Sequence, residues 1–528
     1  MLGDTATLWD GTGVDPWRGG RRATGPTRGH SFAASVCVTR LRVNRRTLAI
    51  VALGVLLLAG MAPSVDLDVW HGMSLFREAL REGWIPDRDR FAYTPTISPI
   101  VHHEWGAGAI AYLVGSRWGV AGLQVLRLAL VLAIVVVAVR VALQRGARVP
   151  VLQALAVLAI PMAWITLTLV RAQLYTVLAL AILLACLESD RRGGRRWILP
   201  WLVLWVVWVN LHAGFVVGGI FLGVHALEQW WRRRPITHLV ATLGTMALLV
   251  AANPYGFSYY PYLAHALTMD RRLVVEWHPL WSAAPPAVAV TLLSMLVAAL
   301  ALYRTGMREA PGWPLLVVSA VAALRSQRHV SIYALVWLAY VPALVSRTNL
   351  GDVLERVQRR WGAVLWSVIL IFGLAYGLRM RPWNASVEGL AGAGERLAYP
   401  VGPVEYLQGV GFEGNLLVPF TMGAYVSWKT DGHVKVSIDS RFEAAYPPNL
   451  LAEHLDFFNA GSGWRSMLER YPHDLILVER DMPVALLMRE QPGWRLVYED
   501  DTFLLFARPG LKLPYADRRG ERIVGTFP

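Results

Sequence analysis

The chain has 528 residues, 55% of them hydrophobic and only 17% charged. A soluble domain carries roughly 25% charged and about 45–50% apolar residues, so disorder and an ordinary soluble fold are both excluded. Two cysteines, Cys37 and Cys186, rule out a disulfide scaffold and a cysteine zinc site, and the net charge of +14 is mostly arginine in short runs between apolar stretches, the pattern of positive-inside loops and not of a nucleic-acid surface.

Taken in chain order, residues 1–46, rich in Gly, Arg and Thr, read as a disordered cytoplasmic leader. Thr47–Pro63 follows Arg40, Arg42, Arg45 and Arg46 and reads as an uncleaved anchor leaving the cytoplasm. Further apolar runs fall at approximately 121–142, 150–169, 173–188, 197–210, 215–231, 236–252, 286–303, 312–325, 330–346 and 362–378. With the anchor they predict a membrane domain over 47–378 with about eleven spans. Alternate threading puts Arg140, Arg145, Arg148 and the Arg-rich stretches 191–196, 232–234, 304–308 and 356–360 inside. The first loop, 64–120, is then outside. Within it Glu104–Trp118, with Gly106, Gly108 and Arg117, is expected along the outer interface, because a crossing there would turn every later Arg-rich loop outward.

Beyond Arg379 acidic residues return and the apolar runs shorten. Strands are expected at Asn415–Phe420, Lys435–Ile438, Asp474–Val478 and Arg495–Phe506, the last folded over a turn at Asp500-Asp501. Helices are expected around Pro403–Gln408, Asn449–Asn459 and Trp464–Tyr471. That alternation predicts a small α/β domain over 379–528, placed outside the membrane by the odd span count. Asn384-Ala385-Ser386 fits a glycosylation sequon.

The chemistry concentrates in the first outer loop. It opens on Asp66-Leu67-Asp68-Val69-Trp70-His71, continues through a helix-like pattern to Ile85–Thr94, and closes on His102-His103-Glu104-Trp105. Two carboxylates at the hydrocarbon edge can divide labour, one holding an acceptor or a cation while the other takes a proton from a hydroxyl. The plainer reading has Asp66 and Asp68 cap the next helix. Trp70 and Trp105 read singly as interfacial belt residues. His71, His102 and His103 could join the carboxylates on a metal but match no zinc spacing, so a divalent cation, if any, is expected on Asp66 and Asp68, with histidine ligation the weaker reading; no other cofactor is called for. Trp, His and Asp together suggest sugar binding.

Arg171-Ala172-Gln173 and Arg325-Ser326-Gln327-Arg328-His329 put positive charge at outer helix ends, where it is least expected. Guanidinium forks grip phosphate, and a lipid-linked phosphate would arrive at this depth; the alternatives are snorkelling or a salt bridge to Glu276 or Asp68. Asn210–Phe215, containing His212, Asn253–Gly256 and Glu276–Pro279 each break an apolar run at an outer end and read as walls of one cavity. In the tail, Gly423–Tyr425 precedes Asp439-Ser440-Arg441, an Asp–Arg pair that closes a turn or holds a ligand at a strand end.

These motifs together resemble the bacterial GT-C-type integral membrane glycosyltransferases, the polyprenyl-phosphate-sugar-using group that includes protein mannosyltransferases and lipid A sugar transferases. In the similar branch the loop reads Asp-x-Asp-x-Trp-His, Ile-Pro-x-x-Asp-x-Phe-x-Tyr-Thr and His-Glu-Trp, here Asp66–His71, Ile85–Thr94 and His103–Trp105. The likeness covers most of 47–508. It implies an outward-facing cavity in the cytoplasmic membrane, a polyprenyl-phosphate sugar donor, a lipid or glycan acceptor hydroxyl, and inversion at the anomeric carbon. It assigns the base role to Asp68 first and Asp66 second, and phosphate stabilisation to Arg171, Arg325 and Arg328; substrate contacts are expected from the outer-loop and cavity-wall residues His71, His102, His103, Glu104, Gln173, Asn210, His212 and Glu276. The chain departs from better-known members in carrying Arg171-Ala172-Gln173 where several have a second acidic residue, and in lacking the oligosaccharyltransferase tail motif. The competing expectation is a non-catalytic membrane protein, either a transporter or flippase or an envelope scaffold; a transporter would show repeated halves and polar breaks near the midplane.

Overall fold

A computed structural model describes residues 45–60, 65–269, 271, 274–380, 389–391, 395–397 and 399–528. The leader expected over 1–46, apart from its last two residues, lies outside that set, as do Cys37, Pro63 and the sequon at Asn384–Ser386.

The first part is helical: α1 (Arg45–Ala59), α2 (Leu67–Glu82), α3 (Trp105–Gln144), α4 (Val149–Thr168), α5 (Gln173–Arg191), α6 (Ile198–Leu211), α7 (Phe215–Trp231), α8 (Thr237–Leu249), α9 (Tyr259–Thr268), α10 (Pro285–Thr305), α11 (Trp313–Arg325), α12 (Val330–Val345) and α13 (Asn349–Met380). Among the described residues five stretches are long and apolar enough to cross a bilayer, in α3, α5, α10, α12 with the turn before it, and α13, and further apolar helices are shorter. This is a multi-pass membrane protein. The expected number of eleven crossings is not fixed by these lengths. α5 and α12 are mostly buried inside the bundle, whereas α10 and α13 turn most of their apolar surface outward.

α3 is broken where the charge pattern calls for a break. Gly119, at φ 60° and ψ −156°, interrupts the helical backbone and separates Trp105–Trp118 from the segment that follows; positive φ is a conformation that glycine takes at little cost. The glycines of the first segment serve a close crossing. A Cβ on Gly108 would lie 2.6 Å from the Gly72 carbonyl oxygen, so α2 and α3 meet backbone to backbone.

The tail builds a six-stranded mixed sheet from β3 (Gly414–Leu417), β4 (Val434–Val436), β5 (Leu475–Glu479), β6 (Arg495–Glu499), β7 (Phe503–Ala507) and β8 (Ala516–Asp517), in the order β4-β3-β5-β7-β6-β8; β1 (Gly389–Ala391) and β2 (Glu395–Leu397) form a separate hairpin. β3 is parallel to both β4 and β5, while β7 is antiparallel to β5 and β6. In β5 side chains alternate between faces: Leu475 and Leu477 join one apolar cluster, Ile476 and Val478 another. A strand buried on both sides reads as an unbroken apolar run, which is why it was legible. Helices α14 (Val401–Gly409), α15 (Phe420–Lys429), α16 (Pro448–Phe458), α17 (Arg465–Arg470) and α18 (Pro483–Glu490) fill the intervals.

Two local expectations need correcting. The strand expected over Asn415–Phe420 stops at Leu417, because Pro419 has no N–H to give a ladder and instead precedes the first turn of α15. Gly423–Tyr425 therefore lies in a helix. Trp70 is no belt residue: it is fully buried, edge-on to Tyr399 and Tyr425 with ring centroids 5.7 and 5.1 Å away. α2 thus belongs to the tail's apolar core as much as to the membrane bundle. Arg77 of α2 also donates to the Trp428 and Ser427 carbonyls at the end of α15, and its guanidinium lies 4.4 Å from the Trp428 ring, so it satisfies carbonyls that a helix end leaves open.

Candidate active site

Four backbone breaks at one end of the bundle bring the acidic and basic groups together. Asp66 caps α2: its β-region backbone turns the chain into the helix and its Oδ1 accepts the Asp68 N–H at 3.1 Å. Its other oxygen takes Arg171 Nε. Arg171, between α4 and α5, uses a second nitrogen on Glu276. Glu276 is carried by a single 3₁₀ turn, Val275–Trp277. That turn is laced to the α11–α12 connection, where Ser326 Oγ donates to the Glu276 carbonyl at 3.1 Å and the Gln327 N–H to the His278 carbonyl at 3.0 Å. Arg328 then comes within 3.7 Å of Glu276 and 5.4 Å of the Trp277 ring centroid.

Glu104, just ahead of α3, faces two histidines: His212 Nε2 at 3.3 Å and His103 Nε2 at 3.5 Å. The Gly214 N–H donates to His212 Nδ1 at 2.9 Å, so that nitrogen is the acceptor and the ring proton sits on Nε2, toward Glu104. Thr176, which takes the Trp208 indole N–H at 2.9 Å, is 2.7 Å from the same Nδ1 and fixes the ring from behind. Burial depresses His212 to about 4, so it is neutral at pH 7. Burial would raise Glu104, but His103, His212 and Arg328 outweigh it and bring it to about 2.

Asp68 differs from its neighbours. Among the described residues its carboxylate has neither hydrogen-bond nor ion-pair partner, and it is exposed to water. Protein nevertheless surrounds it closely. That surrounding, with Asp66 and Glu104 nearby, raises its pKa well above the ordinary carboxylate value; Arg171 and Arg328 pull the other way and lose.

Other expected residues are engaged elsewhere. Asn210 spends its amide on Trp105 Nε1 and on the Val206 and Ala252 carbonyls, tying α6 to α8. Gln173 is buried and donates to the Arg328 carbonyl, which places it behind Arg328. His102 is buried and stacks on His71 with centroids 5.7 Å apart, both held neutral by desolvation. His103 Nδ1 lies 2.6 Å from the Tyr262 hydroxyl. Arg325 is exposed at the end of α11 and, among the described residues, forms no ion pair. The metal reading does not fit the donor set: both Asp66 oxygens are taken, and no group of three or more potential ligands converges among the described residues.

The Ile85–Thr94 motif is a clasp between the two parts. Phe91 and Tyr93 run along β4, with the Val436 N–H donating to the Phe91 carbonyl at 2.9 Å and the Tyr93 N–H to the Val436 carbonyl at 3.2 Å. Asp89 holds its own turn by accepting the Phe91 and Ala92 N–H groups at 2.6 Å and pairs with Arg441. Arg441 grips Asp439 through two nitrogens at 2.8 and 2.6 Å and reaches the Tyr446 hydroxyl at 3.1 Å. The Asp–Arg pair does close a turn, and His71, on α2 below, stands 3.9 Å from Asp439. Roles for Asp89, Thr176 and Tyr262 were missed, because their partners are more than thirty residues away in sequence and no local spacing marks them.

No family model matches the sequence, and no curated protein matches it either. Solved structures do. The archaeal oligosaccharyltransferase AglB from Archaeoglobus fulgidus, in complex with an inhibitory peptide and a dolichol-phosphate, aligns over 89% of this chain and 75% of its own with a TM-score of 0.54 and 12% identity. The chain has a GT-C-type fold. Also similar are the arabinofuranosyltransferase AftD from Mycobacteria (TM-score 0.48, 16% identity, 89% of this chain and 40% of that one) and ArnT from Cupriavidus metallidurans bound to undecaprenyl phosphate (TM-score 0.49, 13% identity, 87% and 97%). The chain therefore spans 40% of the length of the mycobacterial protein. Viewed on the GT-C-type fold, the acidic recess lies where α2, the start of α3 and the helix ends of the bundle meet the tail.

Proposed function

We propose that this chain is a membrane glycosyltransferase of the cytoplasmic membrane that moves a sugar from a polyprenyl-phosphate donor to an acceptor hydroxyl on the outer face, with inversion. The tail over 379–528 then stands outside the cytoplasm and 47–378 forms the reacting membrane domain. The observation that carries the reading is Asp68, an exposed carboxylate without a partner among the described residues, beside acids, Asp66, Glu104 and Glu276, that are all engaged. A raised pKa makes Asp68 a stronger base than an ordinary carboxylate. Asp66 supports the site as helix cap and anchor of Arg171, which leaves it second as a base. The archaeal protein of like fold was solved with a dolichol-phosphate, a lipid of the proposed donor class, and this supports the choice of donor.

In the proposed step the acceptor oxygen forms a bond to the anomeric carbon, the bond from that carbon to phosphate oxygen breaks, and the acceptor proton passes to Asp68. Polyprenyl phosphate leaves with one more negative charge than it carried as a diester. Arg328, beside Glu276, is the first candidate to stabilise that charge, with exposed Arg325 at the end of α11 the second. Arg171, already shared by two carboxylates, contributes less and acts mainly by fixing the recess. His71, His103, Glu104 and His212 line the acceptor side, where acceptors for sugar hydroxyls are wanted.

The test is transfer from a radiolabelled polyprenyl-phosphate sugar by purified full-length protein. Asp68→Asn is expected to lower the rate at least about a hundredfold, the range of general-base catalysis, with folding verified by an unchanged melting temperature. Unaltered transfer removes Asp68 as the base. No transfer with any lipid-phosphate sugar by the unmutated protein would favour a transporter or scaffold.

A further inference from the structure

A second charged cavity lies at the other end of the bundle. Arg171 and Gln173 open α5; its last residue is Arg191, about 28 Å away along nineteen residues. There the ends of α3, α5, α7 and α12 and the residues just ahead of α11 border a half-open cavity of about 260 Å³, lined among others by Arg145, Arg191, Arg192, Arg232, Arg234 and Arg347. The carboxylates that meet these six arginines are Glu188, paired with Arg145 and Arg191, and Glu228, paired with Arg191 and Arg232. Arg192, Arg234 and Arg347 donate to the main-chain carbonyls of Gln144, Arg191 and Glu309 and, among the described residues, pair with no acid.

Such an excess of like charge is not what packing alone produces. Arg145 and Arg191 have side chains only 7% and 6% exposed, and the Nε of each is buried without a partner among the described residues. A buried donor left open costs free energy, and like charges held together cost more. Tyr340 offsets part of this, its ring lying 4.1 Å from the Arg145 guanidinium and 5.6 Å from that of Arg191, but a ring face supplies no acceptor for Nε.

We propose that this cavity is a binding site for one phosphate group, separate from the sugar-transfer site. A phosphate brings several acceptor oxygens and negative charge to donors arranged as planar forks, the geometry arginine is suited to. The volume decides the size of ligand. It exceeds by far the roughly 10–15 Å³ that one water requires, yet falls short of the roughly 300–1,000 Å³ of pockets that enclose drug-sized molecules. It suits a headgroup or a small phosphate, not a whole nucleotide sugar. Arg192, Arg234 and Arg347 are exposed at the mouth and Arg145 and Arg191 form the floor. The phosphate comes either from an anionic phospholipid entering between helices or from a soluble ion.

Purified full-length protein in detergent is titrated with phosphatidylglycerol, with phosphatidylcholine and with inorganic phosphate, bound lipid being counted by native mass spectrometry and phosphate binding by the shift in melting temperature. The proposal expects a saturable single adduct with phosphatidylglycerol and not phosphatidylcholine if the source is lipid, or stabilisation by millimolar inorganic phosphate if it is soluble. Neutralising the mouth by Arg192→Gln, Arg234→Gln and Arg347→Gln together is expected to weaken binding by roughly fivefold per arginine, about a hundredfold in all. The control removes equal charge from the same end, outside the cavity, by Arg304→Gln, Arg356→Gln and Arg360→Gln, and should leave binding within about twofold. Binding of neither ligand, or equal weakening by the two triple variants, would overturn the proposal in favour of diffuse membrane attraction.

Discussion

Asp66 and Asp68 are two residues apart and have opposite circumstances, a difference that the sequence does not encode. Both were legible as an acidic pair at a helix start, and Asp66 does what Asp commonly does there. What separates them is Arg171, more than a hundred residues away, which takes Asp66 and leaves Asp68 open. Arg171→Gln is therefore expected to destabilise the protein by about 2–4 kcal/mol, since it strands a buried Asp66 carboxylate, while Glu276, about a third exposed, recovers part of its solvation; thermal or denaturant unfolding in detergent measures it. The pH behaviour follows from the signs. Asp68 must be ionised to act as base and its pKa is raised, so transfer is expected to fall with acid at a pH above the ordinary carboxylate range, and the limb should vanish in whatever activity Asp68→Asn retains. Glu104, lowered to about 2, contributes stability that is fully present above its unfolded value near 4.5 and is lost as pH falls through about 2. Glu104→Gln should flatten acid unfolding in that window.

At the scale of elements, periodicity carried far. The apolar runs at 150–169, 197–210 and 312–325 correspond to α4, α6 and α11 to within a few residues, and the turn at Asp500-Asp501 joins β6 to β7. The helices α15 and α18 were missed; α15 starts behind a proline that ends a strand, and α18 likewise opens on a proline, Pro483, four residues after β5. What periodicity could not reveal is where elements touch. Gly106 and Gly108 read as reasons against a crossing helix, whereas Gly108 is needed because α2 passes within contact of its backbone. Gly108→Ala is expected to cost about 1–3 kcal/mol through forced separation of α2 from α3. A circular-dichroism melt checks it, and Gly244→Ala, where a Cβ meets nothing within 4 Å, serves as the neutral comparison.

At the scale of the molecule, the charge pattern predicts an orientation, and the three-dimensional arrangement separates two charged regions: one end gathers Asp66, Glu104 and Glu276 with their basic partners, the other gathers arginines around a small cavity. Reporter fusions at residues 192 and 520 are expected to fall on opposite sides of the membrane, as an odd number of crossings requires; both on one side would refute that threading. The union of bundle and tail was not legible, although its residues were in view: Phe91–Thr94, part of the stretch that carries the family resemblance, runs as a short extra rung beside β4. The terminal strand β4 owes its cover to that borrowed rung. Cut free at Tyr399, the tail would have a naked ladder along one flank and an empty socket where the Trp70 indole sits, so the isolated fragment should clump into oligomers through strand pairing, whereas a fragment carrying Phe91–Thr94 on a tether should stay monodisperse.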